Sequence, residues 1–193
     1  MTWFQKGYTF AHPFNDPHVI AGQGTIGLEI LSQMPEVRQI LVPVGGGGLV
    51  SGVAIAVKSL RPEVRVIGVQ TMNVPSMVAS YGFGEVETLR DRATIADGIH
   101  VLTPGELTFE IVEKYVDDIV TVREKEIEAA IVALLEGPKL VAEGAGATGV
   151  AAYLYERIDT SLPTVAVVSG GNVDISALEG IVARELERRS GAK

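Results

Sequence analysis

The sequence predicts an α/β fold: an open, mostly parallel, twisted sheet with helices on both faces. Helical and strand patterns alternate along the 193 residues, as they do where crossover helices join parallel strands. The strand patterns are continuous apolar runs, such as residues 40–44 and 164–168, which are typical of strands buried on both faces. Hydrophobic residues make up 47% of the chain and aromatic residues only 6%, which fits a core of Val, Ile, Leu and Ala.

The first half of the chain predicts an irregular lead-in followed by three helices and two strands. Pro13 and Pro17 punctuate the lead-in, so we expect a boundary between residues 1–20 and 21–193. Gly22 opens the first helix, and Arg61 with Pro62 stops the second. The predicted elements are a helix over 22–33, a strand over 39–44, a helix over 49–60, a strand over 64–69, a helix over 75–81 and a loop over 82–84.

The second half continues the alternation without a repeat or a linker, which favours a single domain. Ile127, Ile131 and Leu134 recur at helical spacing in one segment. The final segment is amphipathic and basic at its end, which suits the helix dipole. The predicted elements are a helix over 107–115, a strand over 118–122, a helix over 124–136, a helix over 144–157, a strand over 164–168 and a helix over 174–189.

Charge and composition exclude several function classes. The net charge of −8 gives no electrostatic reason to expect nucleic acid or an anionic membrane as partner. The chain has no Cys, so disulfides, thiolate nucleophiles and thiolate metal sites are excluded. No segment approaches the roughly 20 apolar residues that span a bilayer, and the first seven residues lack the apolar core of a secretory signal. We therefore expect a cytoplasmic protein.

Four consecutive glycines, Gly45, Gly46, Gly47 and Gly48, separate a predicted strand from a predicted helix that starts near Leu49. Backbone without side chains at a helix N-terminus lets N–H groups converge on an anion. A tight structural turn is the alternative.

The sequence around this loop disfavours two familiar phosphate sites. A P-loop requires Lys and Ser or Thr where Leu49 and Val50 stand. A dinucleotide site requires an acid at the end of the next strand, and Gln70 stands there. A phosphate monoester held by backbone amides and the helix dipole remains.

A second glycine-flanked loop follows the last predicted strand and begins at Ser169. Ligands of parallel α/β sheets gather at the carboxyl ends of the strands, so the two loops are expected to face one crevice. Ser169 would then be the short hydroxyl of that crevice. The alternative is that Ser169 caps the final helix or its turn.

Together these loops resemble those of the fold-type II pyridoxal-phosphate enzymes, specifically the threonine ammonia-lyase (threonine dehydratase) branch. Serine racemase and serine dehydratase are relatives of that branch. The resemblance covers nearly the whole chain after about Gly7 and implies a tryptophan synthase β-like fold. Residues 21–193 would form the large, cofactor-binding domain, which is incomplete. Four further blocks match in the order of that family: HPFNDP at 12–17, AGQGT at 21–25, TIADG at 94–98 and EGAGA at 143–147.

The resemblance implies roles for eight residues. The backbone amides of the four glycines and of Leu49 would bind the phosphate of pyridoxal 5′-phosphate. Ser169 would hydrogen-bond the pyridine nitrogen, and Gly98 would leave room beside the ring. Glu143 lies in a block that borders the site, where a structural salt bridge is the alternative. No metal is expected, because the acids of the serine racemase metal site are absent after residues 64–69.

The family's Schiff-base Lys is the main absence. None of the six lysines stands in the family's setting for it, and the Ser-x-Gly-Asn-His block that holds the substrate carboxylate is missing. The chain therefore resembles the C-terminal, larger part of a catalytic module. We expect it to be inactive alone, with no catalytic residue of its own, and to bind the cofactor weakly or not at all.

The complete enzyme, an expected homo-oligomer, would convert L-threonine or L-serine to 2-oxobutanoate or pyruvate and ammonia. Two alternatives to this interpretation stay open. In the first, the chain is a non-catalytic module that binds a phosphate or serves in assembly. In the second, it is a fragment of a serine racemase or a serine dehydratase.

Overall fold

The structure is a computed structural model that describes Gly7 and residues 9–191. Its helices and strands alternate along the chain as the sequence predicts, with a short 3-10 helix at Asp97–Ile99 that the sequence did not predict. In chain order the other elements are α1 (Pro17–Gln33), β1 (Gln39–Pro43), α2 (Gly48–Leu60), β2 (Arg65–Thr71), α3 (Ser76–Phe83), α4 (Glu106–Tyr115), β3 (Asp118–Val122), α5 (Glu124–Glu136), α6 (Gly144–Leu154), β4 (Thr164–Ala166) and α7 (Ile175–Gly191).

The four strands form one parallel sheet in the order β3-β2-β1-β4. Leu41 in the middle of β1 lies opposite Ile67 of β2 and Ala166 of β4. All five residues of β1 are buried, because β1 lies between two neighbours and under helices on both faces. The predicted parallel, open sheet is therefore confirmed.

Alternate residues of the strands enter two separate hydrophobic cores, as expected from the period-2 geometry of a strand. Ile40 and Val42 pack with α2 and α4 on one face. Leu41 and Ile67 pack with α5, α6 and α7 on the other. Helices thus cover both faces, as predicted. In the part of the chain that the structure describes, no helix has both the length and the apolar character required to cross a membrane.

Two predicted boundaries are wrong. The first helix begins at Pro17 rather than Gly22, because Asp16 Oδ1 accepts hydrogen bonds from the amides of His18 and Val19 and so caps the helix inside the predicted lead-in. The predicted loop over 82–84 is helical through Phe83. That helix ends at Gly84, whose φ of 78° suits a left-handed C-cap.

The remaining differences are smaller. β2 extends two residues beyond the prediction to Thr71, β4 ends two residues early at Ala166, and α6 ends at Leu154 rather than at residue 157. The predicted stop of the second helix is confirmed, since α2 ends at Leu60.

Candidate functional site

The carboxyl ends of β1 and β4 open into a cavity of about 570 Å³. The two strands are parallel neighbours, so the loops that follow them emerge at the same edge of the sheet. All eight residues that the sequence singles out line this cavity: Gly45, Gly46, Gly47, Gly48, Leu49, Gly98, Glu143 and Ser169.

The glycine loop turns directly into the first turn of α2. Gly47 is the N-cap residue, with a φ of 98°, and no side chain caps this helix. Gly48 and Leu49 are its first two residues, and helix geometry leaves the amides of a first turn without an intrahelical partner. The positive end of the helix dipole reinforces these donors, so this end of α2 attracts an anion.

The first turn of α4 holds the loop from behind. Thr108 Oγ1 donates a hydrogen bond to the carbonyl oxygen of Gly46 at 2.5 Å, and it also lies 3.0 Å from the carbonyl oxygen of Gly105. Thr108 is fully buried. These contacts hold the loop through the carbonyl of Gly46, and among the described residues no backbone hydrogen bond outside the helices and strands is donated by an amide of residues 45–48.

Close packing also requires the glycines. A Cβ on Gly46 or Gly48 would meet Phe14, and one on Gly47 would lie 2.7 Å from the end of Met77. Phe14 itself lines the cavity. Neighbouring side chains therefore pack against one side of the loop and leave no room for a Cβ. The other side lines the cavity.

Ser169 is exposed at the cavity and does not cap a helix. The final helix begins at Ile175, six residues later. Among the hydrogen bonds of the described residues, none uses the Ser169 hydroxyl. Ser169 therefore does not cap the final helix, and its hydroxyl is exposed at the cavity.

Glu143 makes hydrogen bonds instead of the salt bridge considered for it. Its Oε2 accepts the N–H of Asn172 at 2.9 Å, and its own N–H donates to the carbonyl of Gly170 at 3.0 Å. A Cβ on Gly98 would lie only 2.7 Å from Glu143 Oε1. Glu143 therefore holds the 169–172 loop and lies close beside Gly98, and no ion pair involves it in the described part of the chain.

Lysines are absent from the cavity wall in the part of the chain that the structure describes. Lys58 pairs with Asp117 at 2.7 Å, and Lys114, Lys125 and Lys139 do not line the cavity either. Across Gly7 and residues 9–191, no group of three His, Cys, Asp or Glu residues is arranged to hold a metal ion.

A second cavity, of about 500 Å³, lies between α1, α2 and α4. Its walls are almost entirely apolar and no titratable side chain lines it. It therefore offers no group for acid–base chemistry, and its only side-chain polar groups are the hydroxyls of Thr25 and Ser59.

Sequence reasoning missed the residues that support the site. Phe14 and Asn15 belong to a block that the resemblance had already matched, but nothing in the sequence indicates that Asn15 Oδ1 reaches the amide of Leu107, 92 residues away. Thr108 follows no recognisable pattern. Only the folded chain brings these side chains to the glycine loop.

Comparisons with known proteins agree with this geometry. The model of a family described as "pyridoxal-phosphate dependent enzyme" matches residues 4–170. An L-threonine ammonia-lyase of Thermotoga maritima is 57% identical over 190 residues, which are 98% of this chain and 47% of that protein.

Two solved structures resemble the fold closely. A processed threonine deaminase isoform 2 of Solanum lycopersicum has a TM-score of 0.88 and 35% identity, covering 93% of this chain and 53% of that one. A maize serine racemase has a TM-score of 0.85 and 35% identity, covering 97% and 58%. The chain spans about half the length of the curated relatives it matches.

Proposed function

Because the chain belongs to the family of pyridoxal-phosphate dependent enzymes, we propose that it forms the cofactor-binding part of an enzyme that deaminates L-threonine or L-serine. The observation that carries the proposal is the cavity itself, which is lined by the residues at the start of α2 and by the exposed Ser169. The Thermotoga maritima relative, 57% identical and named an L-threonine ammonia-lyase, supports the substrate class.

The residues present fit this cofactor. The amides from Gly45 to Leu49 supply donors for a phosphate monoester without a cationic side chain. Gly98 lines the same cavity, and a Cβ there would lie 2.7 Å from Glu143 Oε1, so this part of the wall admits no side chain. Ser169 offers a neutral hydroxyl to the pyridine nitrogen.

Each residue contributes binding or orientation. The loop amides and the α2 dipole fix the phosphate and hence the position of the ring. The neutral Ser169 hydroxyl does not force the ring nitrogen to stay protonated, as a carboxylate would. Glu143 holds Asn172, and with it the loop that carries Ser169. When bound, pyridoxal phosphate supplies the electron sink through which a β-hydroxy amino acid loses its α-proton and its hydroxyl, giving a 2-oxo acid and ammonia.

The family's chemistry also needs a Schiff-base Lys, and no lysine among the described residues lines the cavity. The proposal therefore assigns this chain cofactor binding and expects no turnover from it alone. The alternative function, a phosphate-binding or assembly module without catalysis, uses the same loop.

Complementation separates the two functions. The chain is mixed with the part of the Thermotoga maritima relative that it does not match, and formation of 2-oxobutanoate from threonine is measured. Turnover that disappears when the Schiff-base Lys of the added part is changed to Ala supports the proposal. A stable but inert assembly supports the alternative. Serine racemisation in place of deamination would identify a serine racemase fragment.

We also place the protein in the cytoplasm and expect it to form homo-oligomers. β4 pairs with β1 on one side and with no other described strand, which leaves a sheet edge available for association. Sedimentation velocity over a range of protein concentrations tests this, and a monomer at every concentration would contradict it.

A further inference from the structure

One carboxylate outside the cavity joins three parts of the fold. Glu124, the first residue of α5, accepts a hydrogen bond from Thr71 Oγ1 at 2.7 Å, where β2 ends. It accepts two more from the segment that leads to the 3-10 helix, from Thr94 Oγ1 at 2.8 Å and from the amide of Ile95 at 2.7 Å. Glu124 does not line the cavity, and none of the roles assigned above uses it.

The arrangement uses both oxygens of the carboxylate. Oε1 of Glu124 accepts both threonine hydroxyls, while Oε2 accepts the Ile95 N–H. A Gln side chain could keep its oxygen on the Ile95 N–H and donate its NH₂ group to the hydroxyls, which also accept, whereas Ala removes every acceptor. The negative charge also lies in the first turn of α5, where the helix dipole favours it.

The segment that Glu124 holds continues to the cavity. The carbonyl of Ile95 lies against Gly144, where a Cβ would overlap it. The amide of Ile99 donates to the carbonyl of Ala96 at 3.1 Å and closes the turn. Gly98 and Ile99 then form part of the cavity wall. A shift of residues 94–99 would therefore move this wall against Glu143.

We propose that Glu124 is a positioning residue for the cavity: it holds residues 94–99 so that Gly98 and Ile99 form the wall beside Glu143. It acts through Ile95 and touches no ligand. The identity of the ligand in this inference rests on the proposed function. The position of the cavity wall does not depend on it.

The test compares Glu124→Ala with Glu126→Ala. Glu126 is two residues further along α5 and is 2% exposed, and its described polar partners are Arg157 and the amide of Arg123, not residues 94–99. Hydrogen exchange of individual amides is measured by NMR in each variant. Glu124→Ala should speed exchange at Ile95 and Ile99 about tenfold beyond any change in global unfolding, the factor expected for one lost hydrogen bond. Glu126→Ala should change only the global rate.

Affinity supplies a second readout. Pyridoxine 5′-phosphate is the probe, because it lacks the aldehyde and cannot react with surface lysines. Its dissociation constant, measured by calorimetry, should rise about threefold or more in Glu124→Ala and stay unchanged in Glu126→Ala. If Glu124→Ala does not fold, Thr71→Val removes a hydroxyl that holds the carboxylate. This change leaves the amide hydrogen bonds of Ile95, Ala96 and Ile99 in place, and it should loosen Ile95 in the same direction.

The outcomes are distinct. Unchanged exchange at Ile95 and Ile99, or equal local loosening in both variants, overturns the inference. Local loosening with unchanged affinity also overturns it, because the wall would then not affect binding. If the wild-type chain alone binds no probe, the affinities are measured in the complemented assembly; absence of binding there contradicts the proposed function, while the exchange result still decides whether Glu124 positions the wall.

Discussion

Phe14 packs so closely on the glycine loop that a methyl group at Gly46 or Gly48 would overlap it. At the scale of single residues, two requirements therefore coincide at this loop. One face must be bare for its neighbours, and the other lines the cavity in which we propose that the amides bind a phosphate. The sequence predicted the second requirement from the glycine run, but it gave no sign of the first, because Phe14 lies more than thirty positions earlier in the chain.

A double-mutant cycle tests the packing requirement. Gly46→Ala should lower the free energy of unfolding by about 1–3 kcal/mol, because the new methyl group overpacks against Phe14. In a Phe14→Ala background the same change should cost at least about 0.5 kcal/mol less. Urea denaturation measures both values.

Gly47→Ala is the matched control for this cycle. Its cost comes from a φ of 98° and from contact with Met77 and Thr108, so removal of the Phe14 ring should not relieve it. If Phe14→Ala reduces the cost of Gly46→Ala and of Gly47→Ala by the same free energy, the assigned contact between Phe14 and Gly46 is contradicted.

The Ser169 hydroxyl should affect binding and not stability. Ser169→Ala should change the free energy of unfolding by less than about 0.5 kcal/mol, because the side chain is exposed and no described hydrogen bond depends on it. It should weaken binding of pyridoxine 5′-phosphate about fivefold, the value of roughly one hydrogen bond. Urea denaturation measures the stability, and calorimetry measures the affinity. An unchanged affinity would remove Ser169 from the proposed site.

At the scale of elements, the sequence predicted every strand and α-helix but not the side chains that cap them. Asp16 starts α1 inside the predicted lead-in. The amide oxygen of Gln70, predicted only as a strand end, accepts the N–H of Val78 in the first turn of α3. Hydrophobic periodicity locates helices well because it reflects burial of a whole face. It carries no information about a cap supplied from another part of the chain.

Asn15 provides such a cap for α4. Its Oδ1 accepts the amides of Leu107 and Thr108, at 3.1 Å and 3.4 Å. Asn15→Ala should lower the free energy of unfolding by about 1 kcal/mol, a usual value for a lost N-cap. Asn15→Asp keeps the acceptor and adds a charge that the helix dipole favours, so it should retain wild-type stability. Thermal denaturation measures both variants. If Asn15→Ala and Asn15→Asp lose the same stability, the cap on α4 does not explain the loss.

Tyr155, just beyond the end of α6, should make stability fall at alkaline pH. Burial raises the pKa of Tyr155, and the carboxylates of Glu185 and Glu126 raise it further. The unfolded chain then loses the Tyr155 proton at a lower pH than the folded chain does. The contribution of the neutral phenol to the free energy of unfolding is therefore fully present below about pH 10, and it is lost as the pH rises through the pKa of the folded state. Urea denaturation from pH 8 to 11 should show a smaller alkaline loss in Tyr155→Phe. An identical loss in both proteins would contradict the assignment.

At the scale of the whole molecule, parallel topology explains why residues far apart in sequence line one cavity. Two strand ends with glycine-rich loops must meet when their strands are parallel neighbours, and this rule needs no contact information. The cavity's supports, Thr108 and Glu124, belong to helices packed from opposite faces of the sheet. Their contacts arise from tertiary packing alone, and no spacing in the sequence could indicate them.

Ligand binding at such a junction should stabilise the entire fold, since the cavity exists only when the loop, both strand ends and α2 are folded. At a concentration 100 times its dissociation constant, pyridoxine 5′-phosphate should add about 2.7 kcal/mol to the free energy of unfolding. For a chain of this size, each kcal/mol raises the midpoint of thermal unfolding by about 2–4 °C. Pyridoxine without the phosphate should raise it far less at the same concentration, because the loop amides recognise the phosphate. Equal shifts for the two compounds in differential scanning calorimetry would show that the glycine loop is not the anchor.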